Sequence, residues 1–149
     1  NWSKPGFSCK HNWTYWQDKP YLGIGSGSHS YLEEKKSKIG RRFYTNTSLK
    51  NFVDVKARKN PLQNIVIDKR NKNDWLFEYL ALSLRTQKGI NLDYICSKFS
   101  VAWKPSLKIK EGYKKKQIVK ENEVIKISYP EWFRENYWIL SCYESLVFL

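Results

Sequence analysis

The densest cluster of chemistry-bearing side chains is Cys9-Lys10-His11-Asn12-Trp13-Thr14-Tyr15-Trp16. Cys9 and His11, with one residue between them, are metal-ligand types. A structural zinc site needs four ligands, however, and only His29 offers a third. The neutral imidazole of His11 is also an axial ligand of the kind iron porphyrins take, and Tyr15 and Trp16 supply flat faces for a macrocycle. The same residues would serve equally as an aromatic core with His11 hydrogen-bonded inside it, and the pattern leaves both uses open.

A second segment, Tyr21-Leu22-Gly23-Ile24-Gly25-Ser26-Gly27-Ser28-His29-Ser30, hints at phosphate cradling. Its spacing is G-x-G-x-G, whereas the dinucleotide fingerprint is G-x-G-x-x-G opening a helix, and no GK[ST] follows. Glu78 and Arg85 stand two helical turns apart and read as an ion pair. Glu33-Glu34 and Lys114-Lys115-Lys116 read as solvated faces. There is no Ser-His-Asp signature, no HExxH and no paired-carboxylate spacing.

The elements that must position these residues form two stretches. Residues 1–32 are aromatic and glycine-rich with little helical periodicity; Tyr21–Ser30 reads as a short strand entering a loop. Arg41-Arg42-Phe43-Tyr44 is a candidate strand, and Ser48 is placed to cap a helix over 49–59, ended by Asn60-Pro61. From 71 onward the pattern is helical. Asn73-Asp74 precede a strong helix from Trp75 to Leu84, closed by Gly89, with Leu76, Leu80 and Leu84 on a face apolar enough to be central. Asn91 caps a helix over 92–99, with Leu92, Ile95, Cys96 and Phe99 on one side. Pro105 opens a helix over 105–115. Two short strands follow within 118–127, and Pro130 begins an aromatic helix ending near Phe148. Helix, helix, helix, hairpin, helix is the order of a winged-helix module, and the fold class is α+β.

The whole chain has 149 residues, 41% hydrophobic and 16% aromatic, which excludes a disordered chain. No apolar run reaches the ~18–20 residues that span a bilayer, and the N-terminus lacks a signal-peptide layout. With no Met and an Asn1-Trp2-Ser3 start, a piece of a longer protein is expected. Cys9, Cys96 and Cys142 form no CxxC pair and no disulfide framework, which favours a reducing compartment. Asn1, Asn12 and Asn46 open short sequons that nothing else supports as secretory. The net charge of +13, with Lys outnumbering Arg 21 to 6, permits a polyanionic partner. It also fits lysine-rich solvated surfaces. Lys104, Lys108, Lys110 and 114–116 could meet phosphates, but few Arg, Asn or Gln stand ready to read bases, so nucleic acid is not the favoured partner.

Lys4-Pro5-Gly6-Phe7-Ser8-Cys9-Lys10-His11-Asn12-Trp13-Thr14-Tyr15-Trp16 resembles the KPGxxCxHNxxYW segment of the oxygen-independent coproporphyrinogen III oxidase family of radical SAM proteins. More narrowly it resembles the HemW-like heme-chaperone branch. Tyr21–Ser30 is similar to that family's YLGxGxGAHS, with Ser28 where Ala is usual. Glu78–Thr86 with Lys88-Gly89-Ile90 matches its ExLxLxLRTxxGI helix. The likeness covers about residues 1–95; beyond, Tyr129-Pro130-Glu131-Trp132 only loosely resembles the LTxxG before the last helix.

The resemblance implies a parent with an N-terminal radical SAM barrel. Residues 1–48 would be its C-terminal edge and connection, and 49–149 a mostly helical winged-helix-like domain. The parent would carry a [4Fe–4S] cluster and S-adenosylmethionine. The CxxxCxxC cluster motif is absent here, so no radical chemistry is expected of this chain alone. Carried over by position, heme contact falls on His11 (to the iron), Asn12, Tyr15 and Trp16, and Gly23 and Gly25 become neighbours of adenosylmethionine. The implied function is to bind heme and deliver it to respiratory heme-protein acceptors, in the cytoplasm and peripheral to the inner membrane face. The alternatives are oxidative decarboxylation of coproporphyrinogen III to protoporphyrinogen IX, and a winged-helix nucleic-acid binder. An exposed barrel edge would favour a homodimer.

Overall fold

The structure, a computed structural model, describes residues 3–4, 6–33, 40–46, 48–54 and 65–149. It divides into two units, one joining Asn1–Asp18 to Asn71–Leu149 and the other formed by Lys19–Arg70. Helix α1 (Lys10–Trp16) belongs to the first. It was not expected, because seven residues with aromatics on several sides show no apolar stripe.

In the Lys19–Arg70 unit, β1 (His29–Leu32), β2 (Arg41–Thr45) and β3 (Ile65–Asp68) form an antiparallel sheet in that order. The expected Arg41–Tyr44 strand is thus present. Tyr21 forms only an isolated bridge to Tyr31, and the residues between it and β1 make a turn, not a strand. Ser48 precedes α2 (Leu49–Val53), and its carbonyl accepts the Phe52 amide. The rest of the expected helix, with Asn60-Pro61, lies outside the described residues.

The other unit is built on α3 (Lys72–Leu84). Asn71, four residues before the expected start at Trp75, caps it: its Oδ1 accepts the Asn73 and Asp74 amides at 2.8 and 3.0 Å, and Asp74 accepts the Asn71 amide in return. The helix ends at Leu84, not at Gly89, because the Thr86 amide and hydroxyl both take the Ser83 carbonyl. Leu76, Leu80 and Leu84 are fully buried, as their spacing predicts. Strand β4 (Ile90–Asn91) leads into α4 (Leu92–Phe99), capped by Asn91, with Leu92, Ile95 and Phe99 in the core.

Strand β5 (Val101–Trp103) follows, then α5 (Leu107–Lys114), capped by Ser106, so that Pro105 precedes the helix and is not in its first turn. The hairpin β6 (Ile118–Glu121) and β7 (Val124–Ile127) takes in β4, giving the antiparallel order β4-β7-β6. Beyond Pro130 the chain makes a 3-10 turn, Glu131–Arg134, before α6 (Glu135–Tyr143). The expected helix to Phe148 stops there, and β8 (Leu146–Phe148) pairs antiparallel with β5. Gly112 on α5 matters to this packing: a Cβ there would sit 2.7 Å from the Trp138 ring of α6. The architecture is α+β, and no helix among the described residues is long and apolar enough to cross a membrane.

Candidate functional site

Helix α1 splits the four candidate heme contacts between two faces. Cys9, Asn12, Trp13 and Trp16 are spaced as one side of a helix. They line a cleft of about 770 Å³ completed by Lys4, Phe7, Arg85, Thr86, Trp132 and Glu135, among others. That volume is within the usual ~300–1,000 Å³ of small-molecule sites. His11 and Tyr15 lie on an exposed face instead. The Tyr15 hydroxyl and His11 Nε2 are 2.9 Å apart, and their rings meet edge to face at 5.0 Å. His11 is therefore not a core histidine.

The helix is fixed to its unit by charge as well as packing. Lys88 Nζ stands 5.1 Å over the Trp13 ring. Asp18, just past the helix end, accepts from Lys98 Nζ of α4 at 3.2 Å, with the two side chains only 9% and 7% exposed. Lys98 also donates to the Tyr94 hydroxyl at 2.9 Å. The sequence alone did not single out this pair, since its partners are far apart in the chain and belong to no motif.

Arg85, which the spacing paired with Glu78, reaches α6 instead: Nη2 donates to Asn136 Oδ1 at 3.0 Å and Nε is 3.9 Å from Glu135 Oε1. The reason is that Arg85 lies past the end of α3, at its C-cap, where the helical face no longer dictates direction. Arg85 and Glu135 enter the candidate site through the cleft, and only tertiary structure brings them there.

The glycine segment is occupied with its own turn. A Cβ on Gly23 would collide with the His29 carbonyl, and the Gly23 amide donates to Ser30 Oγ at 3.0 Å. Gly25 has φ +114°, a conformation side chains rarely adopt. Ser28 Oγ donates to the Gly25 carbonyl at 2.7 Å. His29 is exposed and stacks on Tyr44 with centroids 5.2 Å apart.

Among the described residues no three His, Cys, Asp or Glu side chains gather as a metal site. All three thiols are free. Cys9 is exposed at the start of α1, burial pushes the Cys96 thiol up, and burial pushes Cys142 up to about 12. Lys104, Lys110 and Lys114–Lys116 are exposed, while Lys108 is paired with Glu144 at 2.9 Å.

Against known proteins, the chain is similar to a class of heme chaperones. The heme chaperone HemW of Lactococcus lactis is 27% identical over 103 residues, 69% of this chain and 25% of that protein. That of Buchnera aphidicola from Acyrthosiphon pisum is 33% identical over 90 residues, 60% of this chain and 22% of that protein. The Bacillus subtilis HemW is 28% identical over 100 residues, covering 66% and 24% respectively. The chain thus spans about a quarter of the length of these relatives. No family model matches the chain, and no solved structure matches it.

Proposed function

We propose that this chain is the C-terminal part of a HemW-like heme-handling protein, with heme as its cargo and His11 as the residue that takes the iron. The observation that carries this reading is the outward-facing His11–Tyr15 pair on α1. A neutral imidazole with Nδ1 protonated keeps the Nε2 lone pair for a ligand, and among the described residues the group that holds it is an exposed hydroxyl, 2.9 Å away. Breaking one exposed hydrogen bond costs about 1 kcal/mol, far less than a metal–imidazole bond returns. Tyr15, on the same face, and Trp16, on the cleft wall beside it, would offer stacking faces to the macrocycle.

In the parent, residues 1–48 form the end of the radical SAM barrel and 49–149 the winged-helix-like domain. The order α3, β4, α4, β5, α5, β6, β7, with β4 joined to the hairpin, supports a winged-helix-like arrangement within residues 72–127, while residues 49–70 fold with the Lys19–Arg70 unit. The barrel brings the [4Fe–4S] cluster and S-adenosylmethionine, with Gly23 and Gly25 backbone neighbours of the latter. The parent works in the cytoplasm at the inner membrane face, dimerises, and passes heme to respiratory acceptors.

The test is a hemin titration of this chain followed by the Soret band, with His11→Ala and, as control, His29→Ala. A saturable shift lost only in His11→Ala supports the reading. Binding unchanged in His11→Ala overturns it.

The exposed lysines of α5 and its flanks favour a second reading, a nucleic-acid-binding winged helix. Duplex DNA binding with a steep salt slope and a base preference would support it; indifference to sequence would reduce it to electrostatics.

A further inference from the structure

The heme reading assigns an iron ligand but nothing to the two carboxylates that the cargo carries. We infer that Arg85 recognises this carboxylate edge in the cleft beside α1, an inference that rests on the heme reading. Asn12 and Trp16 follow His11 and Tyr15 by one residue, about 100° around the helix. The face that bears His11 and Tyr15 therefore adjoins the cleft wall made by Asn12 and Trp16, and a planar ligand held at His11 would reach the cleft with one edge.

The cleft is built for such an edge. Its walls include the indoles of Trp13, Trp16 and Trp132, and among the described residues its cations are Arg85 and Lys4 against the single carboxylate of Glu135. A guanidinium has five N–H donors in a fork that matches a carboxylate. Arg85 spends one on Asn136, at 3.0 Å, while Glu135 stands at 3.9 Å from Nε, beyond hydrogen-bonding distance. Arg85 is thus preset by a loose internal acid that an incoming carboxylate can replace. Glu135 is the competitor.

The experiment compares hemin with hemin dimethyl ester, in which both acids are masked, by Soret titration of the wild-type chain, Arg85→Gln, Glu135→Gln and His11→Ala. Wild type should bind the diacid more tightly than the diester. Arg85→Gln should weaken hemin about five- to tenfold, as expected for a partly exposed charge-assisted pair, and leave the diester unchanged. Glu135→Gln should tighten hemin about twofold, a gain that misfolding cannot produce. Arg85→Gln weakening both ligands equally, or neither, overturns the inference. Hemin binding that is lost in His11→Ala but unchanged in Arg85→Gln overturns it while leaving the heme reading standing. A folded wild-type chain that binds no hemin overturns both.

Discussion

Two motifs of similar sequence specificity behave oppositely. In His11-Asn12-Trp13-Thr14-Tyr15-Trp16 the distinctive side chains point outward or into a cleft, and the helix is held by residues outside the motif. In Gly23-Ile24-Gly25-Ser26-Gly27-Ser28 the polar groups are spent on the backbone around them: Gly23 donates to Ser30, Ser28 to Gly25, and Gly27 and Ser28 bond the Thr45 backbone of β2. Polar atoms left outward stay available to a ligand; those spent on neighbouring backbone shape the chain. Substitutions at the first should therefore change binding and spare stability, and those at the second the reverse.

The largest effect is expected where the first motif is anchored. Asp18→Asn keeps a residue that tolerates the left-handed φ of 51° but takes the carboxylate from the buried Lys98 ammonium, which keeps its bond to the Tyr94 hydroxyl. It should cost about 3 kcal/mol in urea unfolding. His11→Ala should lower hemin affinity on the order of 100-fold while moving stability by less than about 0.5 kcal/mol. A stability loss of several kcal/mol there would break the contrast.

Gly23→Ala forces a methyl against the His29 carbonyl and should cost about 1–3 kcal/mol, read as faster amide exchange at Tyr21 and Tyr31. Ser28→Ala restores the alanine usual in the resembling motif and removes the bond to the Gly25 carbonyl. The expected loss is about 1 kcal/mol with no change in hemin affinity.

The unit that holds α1 also responds to alkali. Burial disfavours the thiolate and pushes Cys142 up to about 12 in the folded chain, and burial likewise pushes Tyr113 up to about 12. The unfolded chain releases the thiol proton near 9, so the stabilisation is complete below that pH and is lost as pH rises toward 12. Thermal midpoints should fall across this window, and Cys142→Ala should flatten the fall.

What the sequence discloses follows the range of the interactions. Leu76, Leu80 and Leu84 announce the buried face of α3, and Asn91 announces the start of α4, because caps and periodicity are local. The β6–β7 hairpin is legible for the same reason. The pairing of Val101–Trp103 with Leu146–Phe148 is not, since neither three-residue strand has a pattern of its own and Leu146–Phe148 reads as more of α6. In the candidate site, the i, i+4 relation of His11 and Tyr15 is visible once the segment is known to be helical. Arg85 and Glu135 are not, because their meeting depends on how α3 and α6 pack.

The α1 unit is discontinuous: Lys19–Arg70 stands between the helix that bears His11 and the helices against which it folds. Joining them costs loop-closure entropy that grows only with the logarithm of the intervening length, so doubling that length adds about 0.6 kcal/mol. The helix bearing His11 is thereby insulated from length changes in Lys19–Arg70. That segment can lengthen or shorten as whatever adjoins it demands, while the place where cargo would sit keeps its geometry.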